Sequence, residues 1–189
     1  MPPHRQGVCV GHEQNKHLIG PMAHLKTSKG LLEFENRFLH FDNKVINQEV
    51  MLENLRVFAL YLDKIDINWG PAFGTLIGVG RNDDFQPWKP VFDIYILKED
   101  EERFKDVLWL LMDVGFRLAR YERRGLFYLE RNGEYIKVFV LHKISSDVRH
   151  TSGSDFIHEK YLQNTVKWDF KGIKLNVPTE VDEYLTFQY

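Results

Sequence analysis

Cysteine is almost absent from this chain: Cys9 is the single one in 189 residues. An internal disulfide is therefore excluded, and the redox compartment stays open, with a reducing cytosol as the weak default. There is no uninterrupted apolar run of about 18 residues, and the N-terminus lacks the apolar core of a signal peptide, so no membrane segment is expected. Charge of one sign is also missing. The chain has 25 Lys and Arg against 27 Asp and Glu, a formal net charge of -2. No general attraction to nucleic acid or anionic lipid follows, although Arg120, Arg123 and Arg124 remain candidates for local anion contacts. What is present is ordinary globular material, 43% hydrophobic and 28% charged, of a length that suits one domain.

Residues 1–30 mix Pro, Gly and Lys with His4, His12, His17 and His24, without helical or strand period, and read as a mobile arm outside the core. The spacing of these histidines and Cys9 fits no zinc pattern. From Asp42, a candidate cap, Val45, Glu49, Leu52, Leu55, Phe58, Ala59 and Leu62 return at helical spacing. Ile65 to Trp69 reads as a short strand before the Gly70-Pro71 turn, "AFGTLIG" as the start of a short helix, and "VFDIYIL" (91–97) as a central strand. Asp100 opens a helix that Gly115 stops. Three antiparallel strands, from Phe116, Leu126 and Tyr135, follow across turns at Arg124-Gly125 and Asn132-Gly133. Lys171 to Val177 reads as another strand, with a last helix from Pro178-Thr179. The order is that of an α+β fold: a central mixed or antiparallel sheet flanked by helices.

Chemistry concentrates in "GTLIGVGRNDDFQPWKPVFDI", residues 74–94. A glycine turn opening a helix can present the N–H groups of Gly74 and Thr75 to a phosphate. Strand alternation places Asp93 on the face shared by Val91 and Tyr95. Phosphoryl transfer rests on positioning and on divalent ions bridging phosphate oxygens, and such ions need carboxylates. Two at i and i+2 on one strand, with a third on the next strand, would share an ion.

Gly74-Thr75-Leu76-Ile77-Gly78, Arg81, Phe85, Pro87-Trp88 and Asp93-Ile94, with "IKVF" (136–139), resemble the LicD and fukutin group of the nucleotidyltransferase-fold superfamily over roughly residues 45–189. The resemblance implies a nucleotidyltransferase-like domain over residues 31–189. It also implies transfer of phosphocholine or a polyol phosphate from a CDP-linked donor to a glycan, assisted by Mg2+ or Mn2+. "VPTEVDEYLTFQY" is similar to the segment that precedes a further C-terminal extension in that family. On this basis Asp93 is the catalytic and metal-binding residue, and Gly74, Thr75, Arg81, Trp88 and Lys137 are the substrate-binding set. The pattern departs from the family in two places. Lys89-Pro90-Val91 stands where an acidic run is expected, and Lys137 stands at the third carboxylate position. Metal ligation is thereby weakened, and Asp93 is expected to pair with Lys137. The alternative function is a catalytically impaired homologue that binds a nucleotide or a partner. Asp83 and Asp84 read as turn acids and His142 as structural.

Overall fold

The computed structural model describes residues 20–151 and 155–189. It opens with a hairpin of β1 (Met22–Thr27) and β2 (Gly30–Glu35), paired antiparallel. Within the arm expected over residues 1–30, residues 22–30 thus belong to this hairpin. Leu25 is 3% exposed and belongs to the main core with Leu32 and Phe34. A strand with one inward face needs few apolar residues, and β1 buries only Leu25 and Thr27. His4, His12, His17 and Cys9 lie outside the described residues, while His24 pairs with Glu33 across the hairpin at 3.2 Å.

Residues 36–47 lie along the sheet instead of beginning a helix. Arg37 N–H donates to Ala119 O (2.8 Å) and Asn47 N–H to Glu134 Oε1 (3.1 Å). Consequently α1 (Gln48–Lys64) is capped by Asn47, whose side-chain oxygen accepts from Val50 N–H, and not by Asp42. Its buried stripe is Met51, Leu55, Phe58, Ala59 and Leu62. After α1 the chain turns through Asp66, at φ +54°, so the strand expected from Ile65 forms only as β3 (Trp69–Pro71).

The central sheet has the order β3, β4 (Phe92–Leu97), β7 (Glu134–Lys143), β6 (Leu126–Arg131), β5 (Arg117–Glu122). The β4–β7 pair is parallel and the other neighbours are antiparallel. Between β4 and β5 runs α3 (Glu101–Asp113), followed by Gly115 in the left-handed conformation, φ +94°, as the stop signal predicts. One sheet face packs on α1 and α3: Phe104 meets Phe127 at 5.2 Å and Phe58 at 6.3 Å between ring centres. The opposite face carries Asp93, Tyr95, Tyr128, Lys137 and Phe139.

A short helix α2 (Phe73–Ile77) follows β3, and the last third holds more structure than the sequence suggested: β8 (Val148–His150), β9 (Phe156–His158), α4 (Glu159–Gln163), β10 (Thr165–Phe170), β11 (Ile173–Pro178) and α5 (Val181–Gln188). Arg149 on β8 is buried between Glu159 and Glu99, at 2.5 and 2.7 Å, and fastens this region to the end of β4. The β10–β11 hairpin docks on β3. A Cβ on Gly70 would lie 2.3 Å from Asn176 O, and Asn176 Nδ2 donates to Trp69 O at 2.7 Å. The described residues thus form a mixed α/β fold with a central mixed sheet and five α-helices.

Candidate functional site

The site is built where β3 leaves the sheet. Ala72 N–H donates to Asp93 O at 3.0 Å, and the chain then enters α2. Phe73 begins that helix at φ +48°, a left-handed conformation unusual for a bulky side chain, and its ring meets Phe139 edge-on at 4.8 Å. Two residues on, buried Thr75 accepts the Asp93 N–H through Oγ1 at 2.9 Å. Turn and strand are therefore joined at two points, and the glycine turn and Asp93 share one site. Beyond α2 the chain makes a π-helical turn, Gly78–Asn82, and closes with left-handed Asp83, φ +49°. A Cβ on Gly78 would sit 2.4 Å from Asp84 O, so this glycine permits the loop to fold back. That loop delivers Trp88 and Lys89 beside β4.

Asp93 is 4% exposed. Lys89 Nζ is bonded to its Oδ2, and Oδ1 has no hydrogen-bond partner among the described residues. Burial raises the carboxyl pKa, opposed by the charge and hydrogen bond of Lys89 and then by the charge of Lys137. Lys137 is the register partner of Asp93 across the parallel pair, as expected. The expected ion pair between them is not made, because Asp93 pairs with Lys89. The Lys137 ammonium rests instead over the rings of Phe139 (4.5 Å) and Tyr128 (5.3 Å), where the negative ring faces attract it.

The remaining sequence candidates separate. Gly74 is beside Lys89: a Cβ there would come within 3.3 Å of Lys89 Cδ, so the missing side chain leaves room for the lysine stem. The Thr75 N–H, considered for a phosphate, donates to Ala72 O at 3.1 Å. Arg81 pairs through Nε with Asp182 of α5 at 3.0 Å. Trp88 is 73% exposed on the loop. Asp84 pairs with Lys171 at 3.0 Å. Arg120 and Arg124 both pair with Glu122, at 3.0 and 2.7 Å.

Lys89 was missed by sequence reasoning as a site residue. Its signal was its place in the run where acids were expected, immediately after the Pro-Trp pair. Val91, where a second carboxylate would sit, is packed with Ala119 and Tyr135 beneath Leu39 and Phe41.

Asp93 thus has one oxygen already bonded to an ammonium, an apolar cluster at residue 91 and a second lysine across the strand pair. Hard divalent cations take several oxygen ligands. Among the described residues no group of three or more His, Cys, Asp or Glu could hold a metal ion. The donor set does not fit a tightly bound Mg2+ or Mn2+.

No family model matches the chain. An uncharacterized protein of Rickettsia typhi (strain ATCC VR-144 / Wilmington) is 26% identical over 132 residues, which are 68% of this chain and 41% of that protein. The chain therefore spans about two fifths of the length of this relative. Among solved structures, the crystal structure of a candidate nucleotidyltransferase from Thermotoga maritima aligns with 78% of this chain and 88% of its own, at 13% identity and a TM-score of 0.47. Among the described residues no helix is long and apolar enough to cross a membrane.

Proposed function

We propose that this chain is a nucleotidyltransferase-type domain that binds a phosphate-bearing donor of the CDP-linked kind and is impaired in transfer. One observation carries the reading. A buried strand carboxylate, Asp93, is tied through its own N–H to Thr75 of the glycine-turn helix and neutralised by Lys89. The order of turn, short helix and strand acid is the one that phosphate-handling chemistry uses. Transfer, however, depends on ions that bridge phosphate oxygens, and the acid that would hold them is engaged by a lysine.

The test is a thermal-shift titration with CTP, CDP-choline and CDP-ribitol, each with and without Mg2+ or Mn2+, followed by an assay for phosphocholine or ribitol phosphate on a glycan acceptor. Binding to the folded state stabilises by mass action, by about 2.7 kcal/mol at a hundredfold excess over Kd. Stabilisation that metal does not enhance, without turnover, is expected. Metal-enhanced stabilisation with turnover would instead establish a LicD-like transferase, and no stabilisation by any of the three would remove the donor reading.

A further inference from the structure

We infer that the Asp93 niche is a metal-independent oxyanion site, in which the ammonium groups of Lys89 and Lys137 together bind one phosphate or diphosphate group. The inference rests on the phosphate-ligand reading above and assigns the role of the metal to the chain's own cations.

The argument begins with charge. Lys89 pairs with Asp93, and Lys137 stands opposite Asp93 in the strand register, so two lysines share the neighbourhood of one buried carboxylate. Lys89 is fixed to Asp93 Oδ2. Lys137 makes no ion pair or hydrogen bond among the described residues, and the rings of Phe139 and Tyr128 are its neighbours. Ring faces attract an ammonium but accept few of its three N–H donors, so a half-buried lysine held this way still lacks an acceptor. The strand register sets Lys137 opposite Asp93, and the Asp93 carboxyl feels the charge of both lysines, that of Lys89 more strongly.

The local construction serves Lys89 in particular. Gly74 clears its stem, and Thr75 holds the strand N–H that sets the position of Asp93. Asp93 therefore acts as a positioning residue: it holds the Lys89 ammonium on the face where Lys137 stands. A tetrahedral oxyanion suits this pair, since separate oxygens can accept from separate ammonium groups. The source of the oxyanion, free in solution or carried by a nucleotide, is what the experiment separates.

Inorganic pyrophosphate and CDP-ribitol are each titrated into the full chain by calorimetry, in EDTA and in Mg2+. Wild type, Lys137→Met, Lys137→Arg and the charge-balanced double variant Lys89→Met with Asp93→Asn are compared. Lys137 is partly exposed and unpaired, so its substitution should leave the fold intact, and a urea midpoint within error of wild type checks this. Pyrophosphate is expected to bind in EDTA with an affinity that Mg2+ does not raise. Lys137→Met should weaken it about tenfold or more, the scale of one charge-assisted hydrogen bond, while Lys137→Arg keeps most of the affinity. The double variant should lose binding although no net charge has changed. Binding that requires Mg2+, or that Lys137→Met leaves unchanged, overturns the inference. If pyrophosphate binds in EDTA and CDP-ribitol does not, the nucleotide-donor reading fails and the oxyanion site stands. If CDP-ribitol binds only with Mg2+, the donor reading stands and this inference falls.

Discussion

A carboxyl group taken out of water holds its proton more tightly, and a neighbouring ammonium works against that. For Asp93 the effect of burial exceeds the attraction of the two lysines, so its folded-state pKa lies above the unfolded value of about 3.9. The folded state then binds more protons than the unfolded one above about pH 4, and stability from this group falls as pH rises through the raised pKa. Asp93→Asn removes that dependence. Urea midpoints measured from pH 4 to pH 8 should therefore show the variant gaining on the wild type as pH rises, by about 1.4 kcal/mol per unit of upward displacement. Parallel profiles would contradict the raised pKa. At this scale the sequence displayed the acid and its strand face but not its partner. Alternation assigned the face of Asp93, the family resemblance pointed to Lys137 on the next strand, and the two residues are register partners. Lys89 reaches Asp93 from an irregular loop whose path depends on Gly78 and Asp83, and no periodicity describes such a path.

Among the elements, the π-helical turn and α5 form a unit next to the site. A Cβ on Gly80 would approach Val181 Cγ2 to 2.7 Å, so the last helix packs directly on this glycine. Gly80→Ala is expected to destabilise by about 1–3 kcal/mol through overpacking, and Val181→Ala in the same chain should return part of that loss. Additive losses in chemical denaturation would show that the contact is not the cause. Arg81, beside it, makes an exposed pair with Asp182, and Arg81→Ala should cost less than about 1 kcal/mol. The helices α1 and α3 were legible because one-sided burial imposes a period on them, and β4 to β7 because they are strand-forming runs between turn signals. Those fixed by tertiary contacts were not. β1 has two buried residues, and β10 keeps most of its side chains toward solvent and is held through β11. The start of α1 moved because the segment before it is bonded to the sheet.

For the molecule as a whole, the two sheet faces have different tasks: one is closed by α1 and α3, and the other holds the charged niche. The β1–β2 hairpin belongs to the closed side. Trp109 Nε1 donates to Thr27 Oγ1 at 3.0 Å, and Ser28 N–H donates to Asp106 at 3.0 Å. A chain beginning at Asn36 should lose roughly 5 kcal/mol, since burial of Leu25, Leu32 and Phe34 contributes about 1.5–3 kcal/mol each. A urea midpoint unchanged by this truncation would place the domain boundary after the hairpin. The open side is bounded by the segment from Leu39 to Phe41, which covers Val91 together with Tyr135 and Ala119. That cover makes a second carboxylate at residue 91 hard to introduce by single steps. An aspartate introduced at residue 91 would enter an apolar cluster before any ion existed to compensate it, and removing Lys89 first would strand Asp93. Each route to a carboxylate-lined site passes through a less stable chain, so an ammonium beside Asp93 is a local optimum in sequence space that only concerted change in the loop, the strand and the covering segment can leave.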